Sequence, residues 1–296
     1  MDQSTEVYYI ENQDIRIGVR LHGAELVSLV DKKDGREYMW SGDPAYWNRV
    51  SPVLFPFIGK LNGLSYTHAG KAYENVPQHG YARDCDFTLA EKLDDRIWFE
   101  LYPDQQWKER YPFDFLLRIG YHIEGRMVHV MWTVRNDSSE DLPFSIGAHP
   151  AFIMPEGASK NGFYVNFHNG QSRLDCGELN ADGLLMPEQR SYPLQDGKLL
   201  LSDELFDKDA LIIESGQIHT VSLDTPEGRP FIQVRFDTPM LGIWSPTGKK
   251  APFVCIEPWF GRCDRVGYEG SLAEREYGNL IAPGHSFNKE YVIELP

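Results

Sequence analysis

Apolar and polar residues alternate with a period of two along much of the chain. Ile15, Ile17, Val19 and Leu21 share one face of the stretch from Asp14 to Leu21. Val128, Val130, Trp132 and Val134 do the same opposite His129, Met131 and Thr133. The pattern returns in Ile97, Phe99 and Leu101 and in Ile232, Val234 and Phe236. Such alternation predicts β-strands with one buried face. Turn residues separate them. Asp34-Gly35 predicts a hairpin between Leu26–Val30 and Glu37–Trp40, and Pro226-Glu227-Gly228-Arg229-Pro230 joins two further strands. Helical signals are few, with single turns predicted at Ser202–Leu205 and Leu272–Tyr277. No internal repeat and no Ser/Gly-rich or charged linker divides the chain. The expected fold is all-β: one large antiparallel β-sandwich domain over residues 1–296, with few short helices.

Composition narrows the function. A chain of 296 residues can bury a sizeable core without disulfides or a structural metal. Lys and Arg total 29 against 44 Asp and Glu, a formal charge of −15. Such acidity repels phosphate backbones and anionic lipid, which argues against nucleic-acid and membrane partners. Cys85, Cys176, Cys255 and Cys263 form no CxxC pair and read as reduced thiols of a cytosolic protein. No run approaches the roughly 18 apolar residues of a membrane helix. The acidic start, Met1-Asp2-Gln3-Ser4-Thr5-Glu6, lacks the apolar core of a signal peptide. A cytoplasmic location is therefore expected.

Three segments set a titratable residue in an unusual local setting. His79 lies in Pro77-Gln78-His79-Gly80, a loop or strand end. His149 stands among small and apolar residues just before Pro150. Glu257 interrupts the apolar run Phe253-Val254-Cys255-Ile256, and a carboxylate there must find a partner or line a cavity. One buried Glu and two loop histidines suit general acid–base work, although a lone His beside apolar residues is more often structural. Trp244 and Trp259 near the Glu are either core or a stacking surface for a ligand, while Trp47, Trp107 and Phe113 carry a weaker signal. The other histidines, His22, His68, His122, His129, His168, His219 and His285, read as surface or structural. No HExxH, Cys/His cluster, GxSxG, Walker loop or GxGxxG occurs, so a metal site has no support from motifs.

Five stretches together resemble the aldose 1-epimerase (galactose mutarotase-like) family, and within it the LacX-like branch. They are Ser51 to Lys60, Gln78-His79-Gly80, Pro143-Phe144-Ser145 through His149-Pro150-Ala151-Phe152, Leu205-Phe206 through Asp209-Ala210-Leu211, and Leu241 to Pro246 followed by Cys255-Ile256-Glu257-Pro258-Trp259. The resemblance implies a many-stranded sandwich with an open cleft on one concave face. It implies interconversion of the α and β anomers of a free hexose, galactose or glucose for example, without a cofactor. It casts Glu257 as general base at the anomeric hydroxyl and His149 as general acid at the ring oxygen. His79, Asp209, Lys60 and Trp244 become candidate sugar contacts. Asp207 competes with Asp209, because its Phe-Asp setting resembles the Tyr-Asp of other branches. Lys60 stands where the family often carries Arg, and a lysine cannot make the planar bidentate contact.

Three other functions compete. A non-catalytic carbohydrate-binding sandwich would need aromatic platforms but no acid–base pair. A glycoside hydrolase would need two carboxylates flanking the bond, and only Glu257 has a convincing setting. A hexose-6-phosphate mutarotase would need cations at the cleft, for which Lys60, Arg83 and Arg262 are the candidates.

Overall fold

The period-two segments form strands, and they bury the faces that the alternation assigns. Met127–Asn136 buries Val128, Val130, Trp132 and Val134 and leaves His129, Met131 and Thr133 half-buried. Arg96–Leu101 buries Ile97, Phe99 and Leu101. The structure, a computed structural model, describes residues 5–296. The first four residues of the acidic start, on which the expected lack of a signal peptide rests, lie outside them.

Two antiparallel sheets share the apolar core. The first has nine strands, in the spatial order Lys198–Leu200, Tyr164–Asn166, Thr220–Asp224, Pro230–Phe236, Ser286–Glu294, Met127–Asn136, Phe115–Glu124, Arg96–Leu101 and Thr88–Lys92. The second runs Leu185–Pro193, Arg173–Leu179, Leu211–Ile213, Met240–Trp244, Phe253–Phe260, Ile146–Ala148 and Val53–Leu54, and Ala151–Ile153 also pairs with Phe253–Phe260. Trp132 of the first sheet meets Phe260 of the second edge to face, with ring centroids 6.5 Å apart. A smaller three-stranded sheet, Val7–Glu11, Ile15–Arg20 and Glu25–Asp31, packs Ile15, Ile17 and Val19 into the same core.

Two local expectations change. The strand Glu25–Asp31 forms and the chain turns back on it at Asp34-Gly35, but the predicted second strand Glu37–Trp40 is reduced to isolated bridges. Glu37 makes a single bridge to Val30, and Met39 instead bridges to Phe152. Backbone bonds from the Asp31 N–H to the Arg36 carbonyl and from the Tyr38 N–H to the Leu29 carbonyl hold the two arms, and the Glu37 carboxylate accepts the N–H groups of Leu29, Tyr38 and Met39 beside them. Gln105–Arg110 forms an α-helix without any helical period in the sequence. Asp104 caps it by accepting the Trp107 N–H at 2.9 Å, and buried Trp107 anchors it. The two predicted single turns are 3₁₀ turns at Glu204–Phe206 and Leu272–Glu274. All four cysteines are free thiols. Among the described residues no helix is long and apolar enough to cross a membrane.

Candidate active site

Phe253–Phe260 is buried along its whole length, near the middle of the second sheet. Alternation divides its side chains between two sides. Val254, Ile256 and Phe260 join the sandwich core, whereas Phe253, Cys255 and Trp259 belong to separate apolar clusters. Glu257 lies on the second side, where it lines a cavity of about 560 Å³.

The neighbouring chain places His149 against it. Ile146 and Gly147 pair with Phe260 and Trp259, and Ala151, Phe152 and Ile153 pair with Cys255, Val254 and Phe253. Both short strands keep one register, which sets His149 opposite Glu257. Pro150 has no N–H to give to the ladder, so the edge breaks there. His149 Nε2 lies 3.3 Å from Glu257 Oε2. Across the strand on the other side, Glu257 faces Gly242, and Gly242 faces Ile212. In the transverse row of His149, Glu257, Gly242 and Ile212, the first, second and fourth line the cavity floor, and Gly242 lies beneath the Trp259 ring.

Glycine beside the carboxylate is a packing requirement. A Cβ on Gly242 would meet the Trp259 ring at 2.5 Å, and one on Gly147 would meet it at 2.6 Å. The indole therefore lies flat over both glycines, with its Nε1–H donating to the Ala148 carbonyl at 3.2 Å. Gly242→Ala is expected to displace Trp259 and to cost about 1–3 kcal/mol of stability by overpacking. Thermal unfolding measures this, and an unchanged melting temperature would show that the ring moves freely.

Aromatic rings enclose the imidazole. Trp47 stacks on His149 with centroids 4.7 Å apart, and Trp244 meets it edge-on at 5.3 Å. His79 approaches it at 5.7 Å. His79 has φ = +67°, and the next residue must be glycine, because a Cβ on Gly80 would fall 2.3 Å from the Phe55 carbonyl oxygen. Its Nδ1 accepts the Gly59 N–H at 3.1 Å, so a neutral ring carries its proton on Nε2.

Burial governs the electrostatics. It pulls His149 down to about 3, with the charges of Arg83 and Arg49 acting in the same direction. It pushes the Glu257 carboxyl well above the usual carboxylate range, helped by the charge of Asp209. It holds His79 well below the usual histidine range, helped by Arg83, His149 and Arg49. The directions for His149 and Glu257 favour a net-neutral pair that holds one proton between Nε2 and Oε2. His149 Nδ1 and Glu257 Oε1 are buried without a hydrogen-bond partner.

Glu257, His149, His79, Asp209, Lys60 and Trp244 all line the cavity. Asp209 belongs to the wall and Asp207 does not. Asp209 sits at φ = +72° and its carboxylate accepts the Ala210 N–H at 2.8 Å. Of the weaker aromatics, Trp47 is in the wall, whereas Trp107 and Phe113 are core. Trp259, one of the two ambiguous tryptophans, is also in the wall. The seven remaining histidines are absent from this wall among the described residues. Arg49 and Lys249 join Lys60 and Arg83 there, and no periodicity or motif had marked them. Arg262, a candidate cleft cation, lies elsewhere. It is buried, bonded to Glu214 at 2.8 Å and to Glu276, because a guanidinium taken out of water needs carboxylate partners.

Relatives agree with this architecture. The family model for aldose 1-epimerase matches residues 6–294. Protein LacX, chromosomal, of Lactococcus lactis subsp. lactis is 30% identical over 295 residues, covering 97% of this chain and 98% of its own. A galactose mutarotase related enzyme from Lactobacillus acidophilus is 35% identical, with a TM-score of 0.91 over 98% of this chain and 97% of its own. A galactose mutarotase-like protein from Lactobacillus casei ATCC 334 is 31% identical, with a TM-score of 0.90 over 98% and 100% of the two chains. The chain belongs to the aldose 1-epimerase family, and that membership makes its activity one of the mutarotase, isomerase type.

Proposed function

We propose that the protein interconverts the α and β anomers of a free hexose by acid–base ring opening, with Glu257 as base and His149 as acid. The observation that carries this reading is the buried His149–Glu257 pair, 3.3 Å apart on the floor of an open cavity. A hemiacetal presents two oxygens on one carbon, the anomeric hydroxyl and the ring oxygen, to two groups at such a separation. In the productive tautomer Glu257 is a carboxylate and His149 an imidazolium. Glu257 takes the proton of the anomeric hydroxyl, the bond from the anomeric carbon to the ring oxygen breaks, and His149 delivers its proton to that oxygen. The aldehyde turns. Glu257 then returns a proton to the carbonyl oxygen as the ring closes on the other face, and His149 recovers one from the closing hydroxyl. The pair holds one proton before and after each half, so the neutral pair favoured by burial is sufficient and the chemistry calls for no cofactor. Each positioned transfer contributes roughly 10²–10⁴-fold.

His79 donates Nε2–H to a sugar oxygen in this reading, Trp244 supplies an apolar face, and Lys60 and Asp209 bind hydroxyls. Asp209→Asn is expected to raise KM roughly tenfold with kcat little changed, and Asp207→Asn to change neither. Steady-state mutarotation kinetics decide between them, and the opposite pattern would make Asp207 the contact. The same reading takes residues 1–296 as one domain, supported by an apolar core shared by residues from Ile10 to Leu295.

One observation favours a second reading. Arg49, Lys60, Arg83 and Lys249 line the cavity against Asp209 and Glu257, an excess of cations in a protein of net charge −15. Such a wall suits a 6-phosphorylated hexose. Polarimetry on freshly dissolved α-glucose, α-galactose and their 6-phosphates tests both. Faster equilibration of the free sugars supports the first reading, and faster equilibration of the phosphates alone supports the second. If none is accelerated, both fail, and a non-catalytic sugar-binding role takes their place.

A further inference from the structure

The strand that carries Glu257 also carries a thiol on the same side. Cys255 lies two residues earlier in Phe253–Phe260, flanked across the sheet by Ala151 and Trp244. His149, Cys255 and Glu257 each bring one donor atom within 4.8 Å of the other two. Among the described residues this is the one group of three or more His, Cys, Asp or Glu side chains so arranged. All three are buried, at 7%, 0% and 1% exposure. His149 Nδ1 and Glu257 Oε1 are polar atoms without a partner. No motif reveals the group, because strand register and not sequence spacing brings His149 to the other two.

We propose that these three side chains form a binding site for a zinc-class transition metal ion, and that the bound ion blocks the acid–base pair. The donors are imidazole nitrogen, thiolate sulfur and carboxylate oxygen. A thiolate beside an imidazole selects Zn²⁺ over Mg²⁺ or Ca²⁺, which prefer oxygen. Tetrahedral zinc, with bonds of about 2.0–2.3 Å, sets its ligand atoms roughly 3.3–3.8 Å apart. His149 Nε2 and Glu257 Oε2 already stand 3.3 Å apart, and donor atoms within 4.8 Å of one another close on an ion by side-chain rotation. Three protein ligands leave the fourth position of a tetrahedral ion to water. On binding, two protons pass to solvent, one from the Cys255 thiol and the one that His149 and Glu257 share, and the freed imidazole and carboxylate lone pairs turn to the metal. Neither can then exchange a proton with a sugar. His149 and Glu257 line the open cavity, and through it a chelator can recover the ion.

The site follows from the three side chains, whereas the blocking effect rests on the mutarotase reading. The two are therefore measured separately. Chelator-stripped protein is titrated with ZnCl₂ alone by calorimetry, and with CoCl₂ alone by absorption. One equivalent of zinc is expected to bind, and cobalt is expected to give a near-ultraviolet thiolate charge-transfer band. Cys255→Ala and Cys255→Ser are expected to lose the band and to bind zinc at least about tenfold more weakly, the cost typical even of losing an outer partner of a metal ligand. Both variants should keep the uninhibited mutarotation rate, need correspondingly more zinc for inhibition, and recover with EDTA. Absence of stoichiometric zinc binding overturns the proposal, as does equal binding by the variants. Binding without the thiolate band overturns it too, since half-buried His122 and His129, with ring centroids 5.6 Å apart, hold no thiol. If the variants fail to fold, the cobalt band of the wild-type protein decides alone. A band in a protein inert toward every sugar upholds the site and overturns the mutarotase reading instead.

Discussion

Glu257→Gln is expected to give a folded protein whose mutarotation is slower by roughly 10²–10⁴-fold. The amide keeps the shape of the carboxyl and its place opposite His149, but it cannot accept a proton at any working pH. The fold should tolerate the change, because burial already favours the uncharged carboxyl, and Gln is uncharged as well. Polarimetry on a fresh α-anomer measures the rate, and circular dichroism with a melting curve measures the fold. A folded variant with the wild-type rate would remove Glu257 from the chemistry. An unfolded one would make the residue structural, and the assignment of the base would have to move to another group in the wall.

His149→Asn should cost a similar factor for a different reason. Asparagine keeps a polar side chain beside Glu257 but neither carries a transferable proton nor fills the space between Trp47 and Trp244, which now contact the ring at 4.7 and 5.3 Å. The pair acts as a unit, so the double variant should be scarcely slower than either single one. If the two losses multiply instead, each residue works alone and the shared-proton scheme is wrong. If His149→Asn keeps the rate while Glu257→Gln loses it, His79 becomes the acid.

The sandwich was legible because one-sided burial writes itself into alternation, as in Val128, Val130, Trp132 and Val134. The helix at Gln105–Arg110 was not, since six residues held by one cap and one buried Trp carry too few turns to show a period. Glu257 stood out by the cost of an acid in an apolar strand. His149 and His79 stood out only by their Pro and Gly neighbours. What no local pattern holds is the partnership between residues far apart. Arg262 looked like a cleft cation, and two carboxylates claimed it in the interior. Trp47 looked like one more aromatic, and it covers the imidazole. Asp207 competes with Asp209 on sequence alone, and only the folded chain shows that Asp209 lines the wall and Asp207 does not.

The transverse row on the cavity floor also sets which length changes the gene can tolerate. Glu257 faces the cavity by parity: its neighbours Ile256 and Pro258 belong to the opposite side of the sheet. Residues added in the connection between Trp244 and Phe253 leave that parity alone, because the ladder holds the strand in place. A single residue added or removed between Cys255 and Glu257 reverses it, turning an isoleucine or a proline toward the sugar and a carboxylate into the core. Length variation among descendants of this chain should therefore collect in the rim loops, and the five residues from Cys255 to Trp259 should be inherited as a block of fixed length.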